Sequence, residues 1–173
     1  MKKILLLCLL IIPLALKAQD TSGNHNADSL IAKLTPRGYV TDYAGTLKEA
    51  EKDTLSLKLK SFSSPQTAQI AVAIISTIGD NNIMTFGTKL GRKWGVGYKG
   101  VNNGILVLVA INDRKMAILT GRGYEKVVSN AACDQIIKTD MVPRFRQRQY
   151  YEGLNAAVDD LIKCVKGEYK VGQ

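Results

Sequence analysis

The sequence predicts an α/β fold, a three-layer α/β/α sandwich around a mixed sheet of about four strands. Three observations predict it. Residues 69–77 and 105–111 are short runs that are apolar on both faces, as strands covered by helices on either side should be. Segments with an apolar period near 3.6 residues alternate with those runs. A polar pair, Asn112-Asp113, follows the second run and suits a tight turn, so that residues 115–120 return antiparallel. The expected order is β-α-β-α-β-β-α-α.

Each element has its own signal. Tyr39, Val40 and Thr41 suit a short strand, with Asp42 directly after it and Ala44-Gly45 as a turn. Thr46 opens T-L-K-E, a capping-box pattern in which Thr46 caps the next helix and Glu49 reaches back. That helix carries Leu55, Leu59 and Phe62 on one face, with Leu47 before them, and Ser63-Ser64-Pro65 ends it. After the 69–77 strand, Asn81 or Asn82 is available to cap a helix. Its face is Ile83, Phe86, Leu90 and Trp94, and Gly95, Gly97 and Gly100 break it. Gly121-Arg122-Gly123 closes the antiparallel return. A helix then starts near Ser129 or Asn130, carries Cys133, Ile136, Ile137 and Met141, and is expected to stop by Pro143. A last helix over 150–165 shows Tyr151, Leu154, Val158, Leu161, Ile162 and Val165 on one face.

The ends of the chain read differently. Lys2 and Lys3 precede an apolar run over residues 4–16, shorter than the about 20 residues of a membrane helix, and Ala18 suits a cleavage site. Residues 1–18 are therefore expected to be an export signal, which places the mature chain in the periplasm or outside the cell. Residues 19–36 are polar and read as a flexible leader, with His25 as a solvated residue in it. The domain is expected over 37–166, with 167–173 as a tail. The formal charge of +9 falls by three, to +6, once Lys2, Lys3 and Lys17 are removed. That excess favours acidic surfaces. The cations are scattered apart from Arg144, Arg146 and Arg148, no aromatic-basic motif accompanies them, and a nucleic-acid partner is not expected.

Two cysteines outlast the signal, Cys133 and Cys164. If their helices form an antiparallel hairpin, the two lie level, and an oxidising envelope permits a disulfide. The bridge would close a loop of about 30 residues and contribute roughly 3 kcal/mol. Two separately buried thiols are the other reading. No C-x-x-C marks a redox centre.

Chemistry is sparsely provided. The single histidine leaves a serine or cysteine triad without a base, and G-x-S-x-G is absent. The G-x-G pairs at Gly95-Gly97 and Gly121-Gly123 complete neither a dinucleotide fingerprint nor a P-loop. Oxygen ligands remain: Asp42, Asn102, Asn103, Asp113 and Glu125 all fall at strand ends or in loops. They suit a hard cation such as Ca²⁺, or a phosphohydrolase with an acid at Asp42 and phosphate contacts from Arg114 or Arg122. They equally suit turns in which Asp and Asn bond their own backbone.

The order of short motifs adds a family. Val40-Thr41-Asp42-Tyr43-Ala44-Gly45-Thr46-Leu47, Trp94-Gly95-Val96-Gly97, Asn103-Gly104 with the run after it, Asp113-Arg114-Lys115, Gly121-Arg122-Gly123-Tyr124-Glu125 and Tyr150-Tyr151-Glu152-Gly153 together resemble the TPM domain. That family is found in thylakoid-lumen proteins linked to photosystem II repair and in bacterial envelope proteins. The resemblance implies an α/β/α sandwich. For function it implies three classes: acid phosphatases, calcium binders and auxiliary proteins of membrane complexes. Two departures bear on the choice. Asn102 stands where the family commonly has aspartate before Asn-Gly, and Ser129-Asn130 stands where an aspartate often follows. Each replaces a carboxylate by a neutral group, which weakens cation attraction and removes a base. The expectation is thus an exported, non-catalytic binding or accessory module, with weak cation binding secondary and an acid phosphatase as the alternative.

Overall fold

The computed structural model describes residues 22–172. The expected export signal and its cysteine, Cys8, lie outside the described residues. Four strands form one sheet in the order β1-β2-β3-β4: β1 (Val40–Asp42), β2 (Gln69–Ile75), β3 (Gly104–Ala110) and β4 (Lys115–Thr120). β1, β2 and β3 are parallel, and β4 returns antiparallel along β3 with Ile105 opposite Thr120 and Ala110 opposite Lys115. The mixed sheet expected from the sequence is present, and helices cover both of its faces.

The two faces follow from strand alternation. Ile70, Val72 and Ile74 of β2 and Ile105, Val107 and Val109 of β3 point to one face. There they meet α2 (Glu49–Phe62) through Leu55 and Leu59, and α6 (Tyr150–Lys166) through Leu154, Val158 and Leu161. Ala71, Ala73, Leu106 and Leu108 point to the other face, where α3 (Ile83–Trp94) packs through Phe86 and Leu90. All seven residues of β3 are buried, which is why this strand has no polar side chain.

This arrangement has an uncommon handedness. The steps from β1 to β2 and from β2 to β3 go the same way across the sheet, yet α2 crosses one face and α3 the other. Two such crossovers have opposite hands, so one of them is left-handed, against the strong preference for the right-handed form.

Three local expectations are corrected. The leader is helical: α1 (Ser22–Lys33), the segment that carries His25, places Ala27 and Ile31 in the core beneath α3. Lys93 of α3 fastens its end by donating from Nζ to the carbonyls of Ile31, Ala32 and Leu34 at 2.6, 2.7 and 3.0 Å. Carbonyls at a helix end lack intrahelical partners, and a cation suits them. Thr46 does not cap α2. The helix starts two residues later behind Lys48, whose N–H donates to Glu51 Oε2 at 2.9 Å. A lysine side chain carries no acceptor atom, so only the glutamate half of a capping box forms.

Pro143, finally, does not stop its helix. α4 (Asn130–Ile136), capped by Ser129, runs into a π turn over Ile137–Met141 and on into α5 (Val142–Arg146). The wider π turn makes room for the proline ring, and Pro143 falls in the first turn of α5, where its missing N–H costs least. Arg144 Nη1 donates to the backbone oxygen of Asp140 at 2.9 Å. Other expectations hold. Asn82 caps α3 by accepting from the N–H groups of Met84 and Thr85, and Gly95 ends it in the left-handed conformation.

Candidate functional site

The sheet distributes the expected site residues between its two ends. Asp42 ends β1, while Asp113 and Arg114 occupy the β3–β4 turn beyond Ala110. Asn102 and Asn103 precede Gly104 at the start of β3, and Arg122 and Glu125 follow Thr120 at the end of β4. Seven residues of β3 separate the two groups, about 20 Å at the rise of a parallel strand. The five expected oxygen ligands therefore cannot share one cation. Among the described residues, no three His, Cys, Asp or Glu side chains gather as a metal cluster.

At the carboxyl end of the parallel strands, both aspartates hold backbone. Asp42 Oδ1 accepts from Ala44 N–H at 2.9 Å, and Oδ2 accepts from Thr46 and Leu47 N–H at 2.7 and 2.8 Å. Those bonds fold the chain between β1 and α2, and they are why α2 begins late. Asp113 accepts from the Thr77 hydroxyl at 2.7 Å and from Ile78 N–H at 2.6 Å, joining the hairpin to the loop after β2. Arg114 sits at φ 52° in the turn, one of three non-glycine residues with positive φ among the described residues.

Asn103 is fully buried and uses its whole amide. Oδ1 accepts from Tyr98 N–H at 2.9 Å, and Nδ2 donates to the carbonyls of Thr67 at 3.0 Å and Pro65 at 3.3 Å. A carboxylate could not supply those two donations. Asn103 therefore pins the loop before β2 to the turn before β3 and is not presented to a ligand.

The amino end of β3 holds a groove of about 790 Å³ between α3 and β4. Its wall on α3 is Gly87, Thr88, Gly91 and Arg92, and its floor is Leu106 and Leu119. Gly97, Gly104 and Gly121 lie at its end because three backbone segments cross there. A Cβ on Gly104 would collide with the Val96 carbonyl, one on Gly121 with the Asn102 carbonyl, and one on Gly123 with the Val101 carbonyl. Asn102 (φ 55°), Lys99, Arg122 and Glu125 form the rim. Asn102 and Glu125 are thus the only two of the five expected ligands that line this groove. Arg122 lines it too, together with Arg92 and Lys99, which the sequence did not single out. The available signal was Gly87 and Gly91, four apart on one helix, with Arg92 directly after the second.

A second polar cluster lies in the helical layer. Oδ2 of Asp140, on the π turn, is buried and meets no donor from a neighbouring group. The Asp160 carboxyl of α6 lies close enough to Asp140 to act on its ionisation. Burial and the Asp160 charge hold Asp140 above its ordinary value of 3.8. Cys133 and Cys164 are free, buried thiols in the same core. Burial pushes Cys133 up to about 12, with the neighbouring Cys164 adding to it, and pushes Cys164 to about 11. Of the two readings left open for this pair, the structure has the separately buried thiols.

Fold and groove together define an α/β sandwich domain with a groove lined by Arg92, Lys99, Arg122 and Glu125 at the amino end of β3. The TPM domain family matches residues 40–164, and the chain belongs to that family. It is similar to the N-terminal domain of a protein from P. gingivalis, solved by solution NMR, at 33% identity and a TM-score of 0.67 over 75% of this chain and 82% of that one. The NMR structure of BA42 from the psychrophilic Bizionia argentinensis shares the fold at 14% identity and a TM-score of 0.60, covering 76% of this chain and 90% of that one. The N-terminal domain of the cg2496 protein from Corynebacterium glutamicum does so at 14% identity and 0.54, covering 79% and 83%. No curated protein matches the chain. Among the described residues, no helix is long and apolar enough to cross a membrane.

Proposed function

We propose that this TPM-domain chain is an exported, non-catalytic binding or accessory module of the cell envelope. The observation that carries the reading is the state of Asp42, the one acid best placed for a phosphatase. Both of its oxygens are occupied by three backbone N–H groups of its own turn. Three of the roughly four lone-pair sites of this carboxylate are thus committed to its own turn, which favours a structural over a catalytic duty. Arg114 and Arg122, the two candidate phosphate contacts, stand at opposite ends of the sheet and cannot grip one phosphoryl group with Asp42. Periplasmic or extracellular placement rests on the basic, apolar N-terminus.

The test is hydrolysis of an aryl phosphate with Ca²⁺, Mg²⁺ or Mn²⁺ across acidic and neutral pH. The expected result is no turnover above buffer. Turnover abolished by Asp42→Asn in a protein that still folds would overturn the proposal. Weak cation binding now rests on Asn102, Glu125 and nearby backbone oxygens. It predicts a rise in melting temperature at millimolar calcium, and a flat melting curve argues against it.

A further inference from the structure

We infer that the free edge of β4, with the groove beside it, is a docking site for an extended acidic segment of another protein. The inference rests on the accessory reading above and specifies its partner. Backbone geometry supplies the first observation. β4 is the last strand of the sheet, so one of its sides is unpaired. Gly121 N–H donates to the Gly104 carbonyl at 2.7 Å. Every second residue back along β4, namely Leu119, Ala117 and Lys115, therefore bonds to β3. Met116, Ile118 and Thr120 turn their N–H and C=O groups outward, and among the described residues no hydrogen bond meets them.

The second observation is the shape beside that edge. A hollow of about 370 Å³ is lined by Met84 and Thr88 of α3, by Ile118 to Thr120 of β4, and by Asn130 at the start of α4. α3 and α4 lie on opposite faces of the sheet. A hollow bounded by both, and by β4, must wrap the outer edge of β4. It shares Thr88, Leu119, Thr120 and Glu125 with the larger groove. An added strand would thus have a wall on each side, and Met84, 51% exposed, offers it an apolar contact.

The third observation chooses the occupant. Arg92, Lys99 and Arg122 line the groove against one carboxylate, Glu125. None of these three cations forms an ion pair with a carboxylate of the described residues. A strand added to a sheet edge takes affinity from its backbone and specificity from alternate side chains. Among the described residues, the edge hollow itself holds no cation, but the side chains of the segment that reach on into the connected groove would meet Arg92, Lys99 and Arg122, so they would be Asp or Glu. A second copy of the chain fits poorly, since edge-to-edge pairing would bring two such rims together.

The experiment is titration of the isotope-labelled protein, as isolated, with the acetylated and amidated peptide Glu-Val-Glu-Val-Glu-Thr, followed by NMR. Two control peptides replace Glu by Lys or carry N-methyl groups on alternate amides. Amides of Met116, Ile118 and Thr120 should shift, and each control should bind at least tenfold more weakly. The Arg92→Glu/Arg122→Glu variant, altered only at exposed positions, should weaken binding of the acidic peptide by the same factor. Equal binding of the methylated peptide, with shifts confined to the rim, would reduce the site to a charged patch and overturn the inference. So would absence of shifts at millimolar peptide, or concentration-dependent protection of the edge amides with a doubled mass and no peptide. These failures leave the accessory reading standing, whereas aryl phosphate turnover would remove that reading and leave a positive peptide titration intact.

Discussion

Replacing Asn103 by aspartate changes one NH₂ for one oxygen and should remove a large share of the stability. The side chain is fully buried, and its Nδ2 donates to the carbonyls of Thr67 and Pro65. In the Asn103→Asp variant, an ionised carboxylate turns both donations into oxygen–oxygen contacts. Each orphaned buried carbonyl costs about 1–3 kcal/mol, and burying the charge adds to that. The expected loss at neutral pH is about 3–5 kcal/mol, or a melting temperature lower by roughly 10 °C or more. The pH dependence has a definite sign. Burial raises the new carboxyl in the folded state above its unfolded value of about 3.9. The native state then holds a proton that the unfolded state has released. A protonated carboxyl restores one of the two donations, so the variant's deficit is smaller in acid and grows as pH rises through the folded-state value. Urea denaturation of both proteins at about pH 4 and pH 7 measures it. Asn102→Asp, the same chemical change one residue earlier on an exposed turn, should cost no more than about 0.5 kcal/mol. A deficit below about 1 kcal/mol for Asn103→Asp at pH 7, or one larger in acid, would refute the account of the buried amide.

Three further outcomes follow from the same contacts. Asp42→Asn puts an NH₂ among three N–H donors and should cost about 1–3 kcal/mol in urea denaturation, a structural and not a catalytic loss. Asp140 is held above 3.8 in the folded state, so the native protein keeps a proton that the unfolded chain loses. Its contribution favours folding in acid and is lost as pH rises through the raised value. Asp140→Asn should flatten that part of the stability profile, and an unchanged slope above about pH 4, the unfolded value, would refute the upward shift of Asp140. With Cys133 pushed up to about 12 and Cys164 to about 11, both thiols should resist alkylation at about pH 8 in native protein and react at once in denaturant. Mass spectrometry of unreduced protein reads this directly, and denatured protein that takes no label at these two positions would establish the bridge instead.

Much of the fold is legible because β2 and β3 are apolar on both faces, and few other local structures tolerate that. Asn82 and Gly95 bracket α3 for equally local reasons. α1 is hard to see although Ala27, Leu30, Ile31 and Leu34 have the spacing of a helix face, because the asparagines and serines around them outweigh it. What orders that helix is distant in sequence, the ammonium of Lys93 and the underside of α3. Pro143 reads as a stop because a proline inside a regular α-helix loses a bond and clashes. The π turn removes the clash by changing the helix, which residue type alone does not announce. The capping box at Thr46 fails because Asp42, four residues back, claims the N–H groups first. Site residues are legible as types and not as a set. Loops at strand ends look alike in sequence, and only the direction of each strand says which end of the sheet a loop joins.

The crossing of backbones at Gly104, Gly121 and Gly123 separates what this domain is from what it can hold. No side chain fits there, so that end of the groove is main chain and cannot be altered without moving three segments together. Arg92, Lys99, Arg122 and Glu125 stand around it as replaceable fittings, exposed and free of structural duty in their side chains, while Asn102 is bound to its place by a φ of 55°. Such a domain can be retargeted by surface exchanges alone.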